Sequence, residues 1–167
     1  MNEYVDVVDE HDLVIGQELR SKKYSLGFIS RIVIIMIRNA SGQYLICRRA
    51  NHKKVNPNLW DASVCGGVKA GETYLEGAQR ELSEELGLNC TLRFLKKFYK
   101  EEHISGKIYK SHTSIFLGET DQEPTLNNEL SAYRKVTLTE LHAWIESKPI
   151  DFCPGFLHEF RETHELL

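Results

Sequence analysis

From Thr73 to Gly87 the chain spells out a helix with both of its ends marked. Thr73 followed by Glu76 is the S/T-x-x-E pattern of a capping box, in which a hydroxyl and a carboxylate satisfy backbone donors left open at a helix start. Leu75, Ala78, Leu82 and Leu86 recur at three- and four-residue steps and predict one apolar face, and Gly87 stands where a left-handed residue would end the helix. Gly77 is the one poor helix former, tolerated where something packs closely against it. Residues three and four apart on a helix are neighbours, so Glu81 lies beside both Glu84 and Glu85. Like charges at that spacing cost about 0.2–0.5 kcal/mol per pair. A cation among them reverses the sign, and oxygen-only ligands suit hard divalent ions such as Mg²⁺. A solvated glutamate-rich face is the plain alternative. The glycines before the helix, Gly66, Gly67 and Gly71, let bare backbone approach an ion or a phosphate and tilt the balance toward a site.

Gly66, five residues, Glu72, seven residues, then Arg80-Glu81-Leu82-Ser83-Glu84-Glu85-Leu86-Gly87-Leu88 satisfies the pattern G-x5-E-x7-R-E-U-x-E-E-x-G-U at every specified position. At ordinary residue frequencies such a match arises by chance on the order of once in a billion starting points. The segment resembles the Nudix box. That resemblance implies hydrolysis of a nucleoside diphosphate linked to some moiety X, or of a similar small diphosphate. It also implies Mg²⁺ or Mn²⁺ held by Glu81, Glu84 and Glu85, with a loop carbonyl from Gly66 or Gly67. Glu85 and Glu81 rank together as the catalytic base. Glu72 and Arg80 are similar to the ion pair that orients the box; a local alternative pairs Arg80 with Glu76 at i,i+4.

A chain of 167 residues is long enough for one domain with a real core. Its net charge of −3 supplies no basic footprint for a nucleic-acid polymer. Four cysteines, Cys47, Cys65, Cys90 and Cys153, lack C-x-x-C spacing, and the start MNEYVDVVDE lacks a basic region followed by an apolar one. A reduced, cytoplasmic protein is the expectation. The longest apolar run, Ile32 to Ile37, is too short for a bilayer and predicts a buried strand rather than a membrane span.

Tyr4 to Val8 and Leu13 to Leu19 flank a polar turn and predict an N-terminal hairpin; Arg31 to Arg38 and Tyr44 to Arg49 flank Asn39-Ala40-Ser41-Gly42 and predict a second. Strand patterns follow at Thr91 to Tyr99, Lys107 to Leu117 and about Ser131 to Val136. Thr137 with Glu140 is another capping box, and Pro154 is placed to open a last helix with Phe156, Leu157 and Phe160. The expected architecture is an α/β/α sandwich with a mixed central sheet, the fold the Nudix resemblance also implies. Residues 1–28 would form a hairpin extension and residues 29–167 the domain proper.

Upstream of the box, Arg48-Arg49-Ala50, Asn56-Pro57-Asn58-Leu59-Trp60-Asp61 and Ser63-Val64-Cys65-Gly66, with Val8-Asp9-Glu10 and Ile15-Gly16, resemble the Nudix branch related to isopentenyl-diphosphate isomerase. Cys65 matches the isomerase's catalytic cysteine. Its metal-binding histidines fall at Gly67 and near Lys23 and Ser30, and its later acidic residues near Tyr109 and Ser111, types that cannot rebuild that metal site. These departures favour a hydrolase. An isomerase and a non-catalytic nucleotide-binding module are the alternatives. Cys65 is expected to be packing, and Trp60 a core anchor before a base-stacking platform. Arg48, Arg49, Lys53 and Lys54 are the candidates for phosphate contact. His52, His103 and His112 are expected to be exposed or locally satisfied. Loops over 102–107 and 118–126 are expected to choose X. The resemblance also allows a homodimer, for which the residues supply no separate signal.

Overall fold

The apolar run Ile32 to Ile37 lies in the middle of the sheet in a computed structural model of the chain, which describes residues 3–104 and 107–167. The N-terminal hairpin joins β1 (Tyr4–Val8) to β2 (Val14–Leu19), and a one-turn helix α1 (Lys23–Leu26) follows. Next come β3 (Ser30–Arg38), β4 (Gln43–Arg49), the short β5 (Trp60–Asp61) and β6 (Val64–Gly67), and the box helix α2 (Tyr74–Leu86). Strands β7 (Leu92–Ile104), β8 (Lys107–Glu119) and β9 (Leu130–Thr137) lead to α3 (Leu138–Ser147) and α4 (Pro154–Thr163).

The main sheet is mixed: β3 runs parallel to β8 and antiparallel to β6, while β4 pairs antiparallel with β5 and β9. Strands β3 and β4 themselves pair only at Ile37 with Leu45 and Arg38 with Tyr44. Beyond that point the two strands diverge. Ser63 bridges the start of the gap, its hydroxyl donating to the Leu45 carbonyl and accepting from the Ile37 amide.

Both faces of β3 are covered, which is why its sequence is apolar without alternation. Val33, Ile35 and Ile37 face a core that includes Ala78, Leu82 and Leu86 of α2, whereas Ile34 and Met36 face one that includes Leu141 of α3 and Phe156 and Phe160 of α4. The expected α/β/α layering is present. Trp60 sits in the second core, edge-on to Trp144 at 5.1 Å, with the Arg134 guanidinium 5.1 Å from its ring; it is a core anchor. Leu75 departs from the expected apolar face. It is exposed, and Tyr74 packs against the core in its place.

Both capping boxes form, at Thr73 with Glu76 and at Thr137 with Glu140, and Gly87 ends α2 with φ of 63°. Strands β5 and β6 and helix α1 were not anticipated, and β7 and β8 run longer than their sequence patterns. Ser105 and Gly106, within one expected specificity loop, lie outside the described residues, as do Met1 and Asn2 of the expected N-terminal extension.

The hairpin is tied to the domain through Asp12. Its carboxylate accepts from Arg31 Nε at 2.7 Å, Lys97 Nζ at 2.8 Å and the Tyr74 hydroxyl at 2.9 Å, joining β3, β7 and α2. Burial pushes the Asp12 carboxyl up, but these donors outweigh it and hold it below the usual value of 3.8. A carboxyl depressed in the folded state contributes stability above its unfolded pKa and loses it as pH falls through the folded value. Asp12→Asn should therefore cost about 1–3 kcal/mol at neutral pH. In urea unfolding, the gap from wild type should close below about pH 4; a gap constant down to pH 2.5 would contradict the assignment.

Candidate active site

A cavity of about 240 Å³ opens beside the box helix at the end of the sheet where β3 and β4 part. Glu81, Glu84 and Glu85 line one side of it, together with Gly66. Glu81 and Glu85 are buried and Glu84 is exposed, as expected of a stripe that crosses the rim of a helix face.

Arg80 organises this wall. Its Nε and Nη2 donate to the two carboxylate oxygens of Glu72 at 2.7 and 2.9 Å, a bidentate pair. Nη2 also donates to the Gly67 carbonyl at 2.8 Å, and Nη1 reaches Glu81 at 2.8 Å and Glu84 at 3.3 Å. Glu76, the alternative partner, is committed to the cap at Thr73. The hydrogen bonds from Arg80 hold the Glu72 carboxyl below its ordinary range against the effect of burial. Glu72 in turn accepts from the Lys69 amide at 2.8 Å, so the glycine loop and the helix are closed on each other.

Gly66 has a steric reason to lack a side chain. A Cβ there would stand 2.2 Å from Glu81 Cδ, so the strand backbone lies directly against that carboxylate. Gly77 likewise faces Val68 and Glu72 Oε2, at 3.2 and 3.3 Å from where its Cβ would be, the close packing that excuses a glycine inside a helix.

The carboxylates suit a cation. Burial pushes Glu81 up, opposed by Arg80, and burial together with the negative charges of Glu81, Glu129 and Asp61 pushes Glu85 up to about 8. Buried carboxyls held up by burial and by neighbouring acids are stabilised in their charged form by a divalent ion. Among the described residues no three acidic, histidine or cysteine side chains already converge as a closed ligand set, because Arg80 and Lys69 engage Glu81 and Glu84. An ion would compete with those cations. The donor chemistry fits a hard metal; the rotamers shown are those of the ion-paired wall.

The basic candidates separate by strand alternation. Leu45 and Cys47 of β4 face the α2 side, and Arg49 continues that register to the cavity, where its Nη1 lies 3.5 Å from Asp61 Oδ2. Arg48 falls on the opposite side, exposed, with Nε donating to the Asn58 carbonyl at 2.9 Å, and is not part of the cavity wall. Lys53 lines the cavity, ion-paired to Glu129; Lys54 does not line it. Glu129 comes from the segment between β8 and β9, which is fastened to α2 by Thr125 N donating to the Leu86 carbonyl at 2.8 Å and Asn127 N to the Glu85 carbonyl at 3.0 Å.

Cys65 lies on β6 and borders the cavity, its thiol pushed well above the usual range by burial. His52, His103 and His112 do not line it; His112 is buried, with Nε2 2.9 Å from the Asp9 carbonyl. The positions that the isomerase resemblance brought forward do assemble: Lys23 Nζ donates to Ser30 Oγ at 2.7 Å, Ser30 pairs with Ser111 across the sheet, and Lys23, Tyr109 and Ser111 line the cavity. Sequence reasoning did not select Arg20, Asp61, Lys100, Glu129 or Glu159 as wall residues. Each looks like a surface charge until the topology gathers them.

Residues 29–154 match the model of the NUDIX domain. An isopentenyl-diphosphate Delta-isomerase 2 from Photorhabdus laumondii is 31% identical over 151 residues, covering 89% of this chain and 85% of that protein. An uncharacterized Nudix hydrolase from Pseudomonas aeruginosa is 31% identical over 160 residues, covering 95% and 92%. Among solved structures, a protein from Deinococcus radiodurans with 31% identity superimposes with a TM-score of 0.71 over 87% of this chain and 90% of its own. With a complete box on an α/β/α scaffold and a family match across three quarters of its length, the chain belongs to the Nudix hydrolase family.

Proposed function

We propose that the protein hydrolyses a phosphoanhydride bond in a nucleoside diphosphate derivative or a similar small diphosphate, using Mg²⁺ or Mn²⁺. The observation that carries this reading is the buried Glu81–Glu85 pair set against bare Gly66 backbone on one wall of the cavity, with Arg49 and Lys53 on the same cavity. Glu81, Glu84 and Glu85 would hold the metal. A backbone carbonyl would come from Gly66 or Gly67, that of Gly67 accepting from Arg80 here. Bound there, the ion would neutralise diphosphate oxygens and lower the pKa of water.

The chain's own residues do the rest. Arg49 and Lys53, which line the same cavity, would hold phosphate oxygens beside the carboxylates. Ionised once the ion is held, Glu85 or its neighbour Glu81 would accept the proton of the attacking water at a carboxylate oxygen. Arg80, through Glu72, fixes the helix against the loop. Arg48 has no part, because β4 turns it to the other face. No helix among the described residues is long and apolar enough to cross a membrane, and the cysteines are free thiols, which supports a cytoplasmic setting.

A second reading, isomerisation of isopentenyl diphosphate, draws on the named isomerase relatives and on Cys65 at the cavity. Lysine, serine and tyrosine at the isomerase's ligand positions weigh against it. Incubation with isopentenyl diphosphate and assay for the dimethylallyl isomer separates the two: no isomer is expected.

In a diphosphate panel with Mg²⁺, Glu81→Gln and Glu85→Gln should each lower kcat/KM by about 100-fold or more, and full activity in both would remove the assignment. Gly66→Ala should lose activity comparably, because the new methyl must displace the Glu81 carboxylate, whereas Gly16→Ala, with nothing within 4 Å, should behave as wild type.

A further inference from the structure

Strand register brings a carboxylate beside Arg49. The Arg49 amide donates to the Leu59 carbonyl at 2.9 Å, and Cys47, two residues earlier on the same face of β4, stands opposite Asp61 of β5. Asp61 is therefore the diagonal neighbour of Arg49 across the antiparallel pair, within reach of a long side chain. Arg48 and Trp60, which stand opposite each other between them, turn to the other side. Arg49 and Asp61 both line the cavity, together with Glu85.

A carboxylate at this place is unfavourable by itself. Asp61 is only 7% exposed. Burial first, and then neighbouring charges that include Asp61, push up the Glu85 carboxyl and the Cys65 and Cys153 thiols. Asp61 also puts negative charge into a cavity proposed to receive a diphosphate. Its Oδ1 accepts from the Ala62 amide at 2.9 Å, a bond that a neutral asparagine would accept as well. Its Oδ2 lies 3.5 Å from Arg49 Nη1. Only that second contact calls for the charge.

The contact aims the guanidinium. Arg49 Nε donates to the Val55 carbonyl at 3.2 Å and Nη1 faces Asp61, so one anchor lies in the loop after β4 and the other on β5. Among the described residues the Arg49 side chain meets no other acceptor, which leaves its remaining N–H donors to a ligand. Two anchors fix the plane of the fork, and a group fixed before binding loses less freedom when a phosphate arrives. We propose that Asp61 is a positioning residue: it holds the Arg49 guanidinium in the orientation in which its remaining donors meet the phosphate oxygens of the substrate. The inference rests on the diphosphate reading above and assigns a role to a carboxylate outside the box.

Positioning and plain electrostatics give opposite signs, because removing a carboxylate from an anion site by itself tightens anion binding. The test is calorimetric binding of methylene diphosphonate, a non-hydrolysable diphosphate, at Mn²⁺ concentrations that saturate each protein. Wild type, Asp61→Asn, Arg49→Gln and the double variant are compared. Asp61→Asn should weaken binding by about 10-fold, and the same substitution in the Arg49→Gln background should no longer weaken it. Unchanged or tighter binding in Asp61→Asn alone, or an equal loss in both backgrounds, overturns the inference. Arg49→Lys secures the test should Asp61→Asn fail to fold, since it keeps the charge and loses the fork while leaving Asp61 in place. It should also lose about 10-fold, and binding within about twofold of wild type would overturn the inference. A wild type that binds no diphosphonate removes the diphosphate reading and this inference together; wild-type binding that Asp61→Asn leaves intact removes the inference alone.

Discussion

The Arg80 guanidinium is the contact on which the site depends. One planar fork holds the glycine loop through Glu72, the end of β6 through the Gly67 carbonyl, and the acidic stripe through Glu81 and Glu84. Lysine, a point charge, could not make this set of directed bonds at once. Without it, buried carboxylates on α2 would face each other with less compensation, and the helix would lose its registration against the strand that supplies Gly66. The box pattern of the sequence is thus a packing rule as much as a list of proposed ligands: glycines where backbone meets a carboxylate, an arginine where three elements must be tied, glutamates where we propose an ion.

The scaffold serves that arrangement. Strand β3 divides one edge between β4 at one end and β6 at the other, with β8 along its opposite edge, and the cavity opens where β4 leaves it. Covering both sheet faces with helices gives α2 a firm floor for its carboxylates and brings α4 over the opposite face, so that groups from distant parts of the chain meet in one cavity. The wall is accordingly mixed in charge, acids from α2 and bases from β4 and the loop after it.

Legibility in the sequence followed locality. The ends of α2, the second capping box, the buried β3 run and the box itself are encoded within a few residues and are found where expected. Strands β5 and β6, of two and four residues, are too short to show a period. Arg48 and Arg49 are adjacent in sequence and equivalent on composition, yet alternation sends only one to the cavity. Lys100 and Glu159 lie 59 residues apart, each an ordinary charge in its own segment, and only the packing of α4 on β7 makes them a pair. The isomerase-like approach segment was legible as a resemblance, and the same residues show a lysine and hydroxyls where metal ligands would stand.

The central claim is that the α2 stripe, held by Arg80 and backed by Gly66, is the metal site of a diphosphate hydrolase. Anomalous diffraction from crystals grown with Mn²⁺ and a non-hydrolysable diphosphate tests it directly. The account predicts a manganese peak ligated by Glu81, Glu84 and Glu85 with diphosphate oxygens completing the shell; bound diphosphate with the peak elsewhere, or with none, would contradict it.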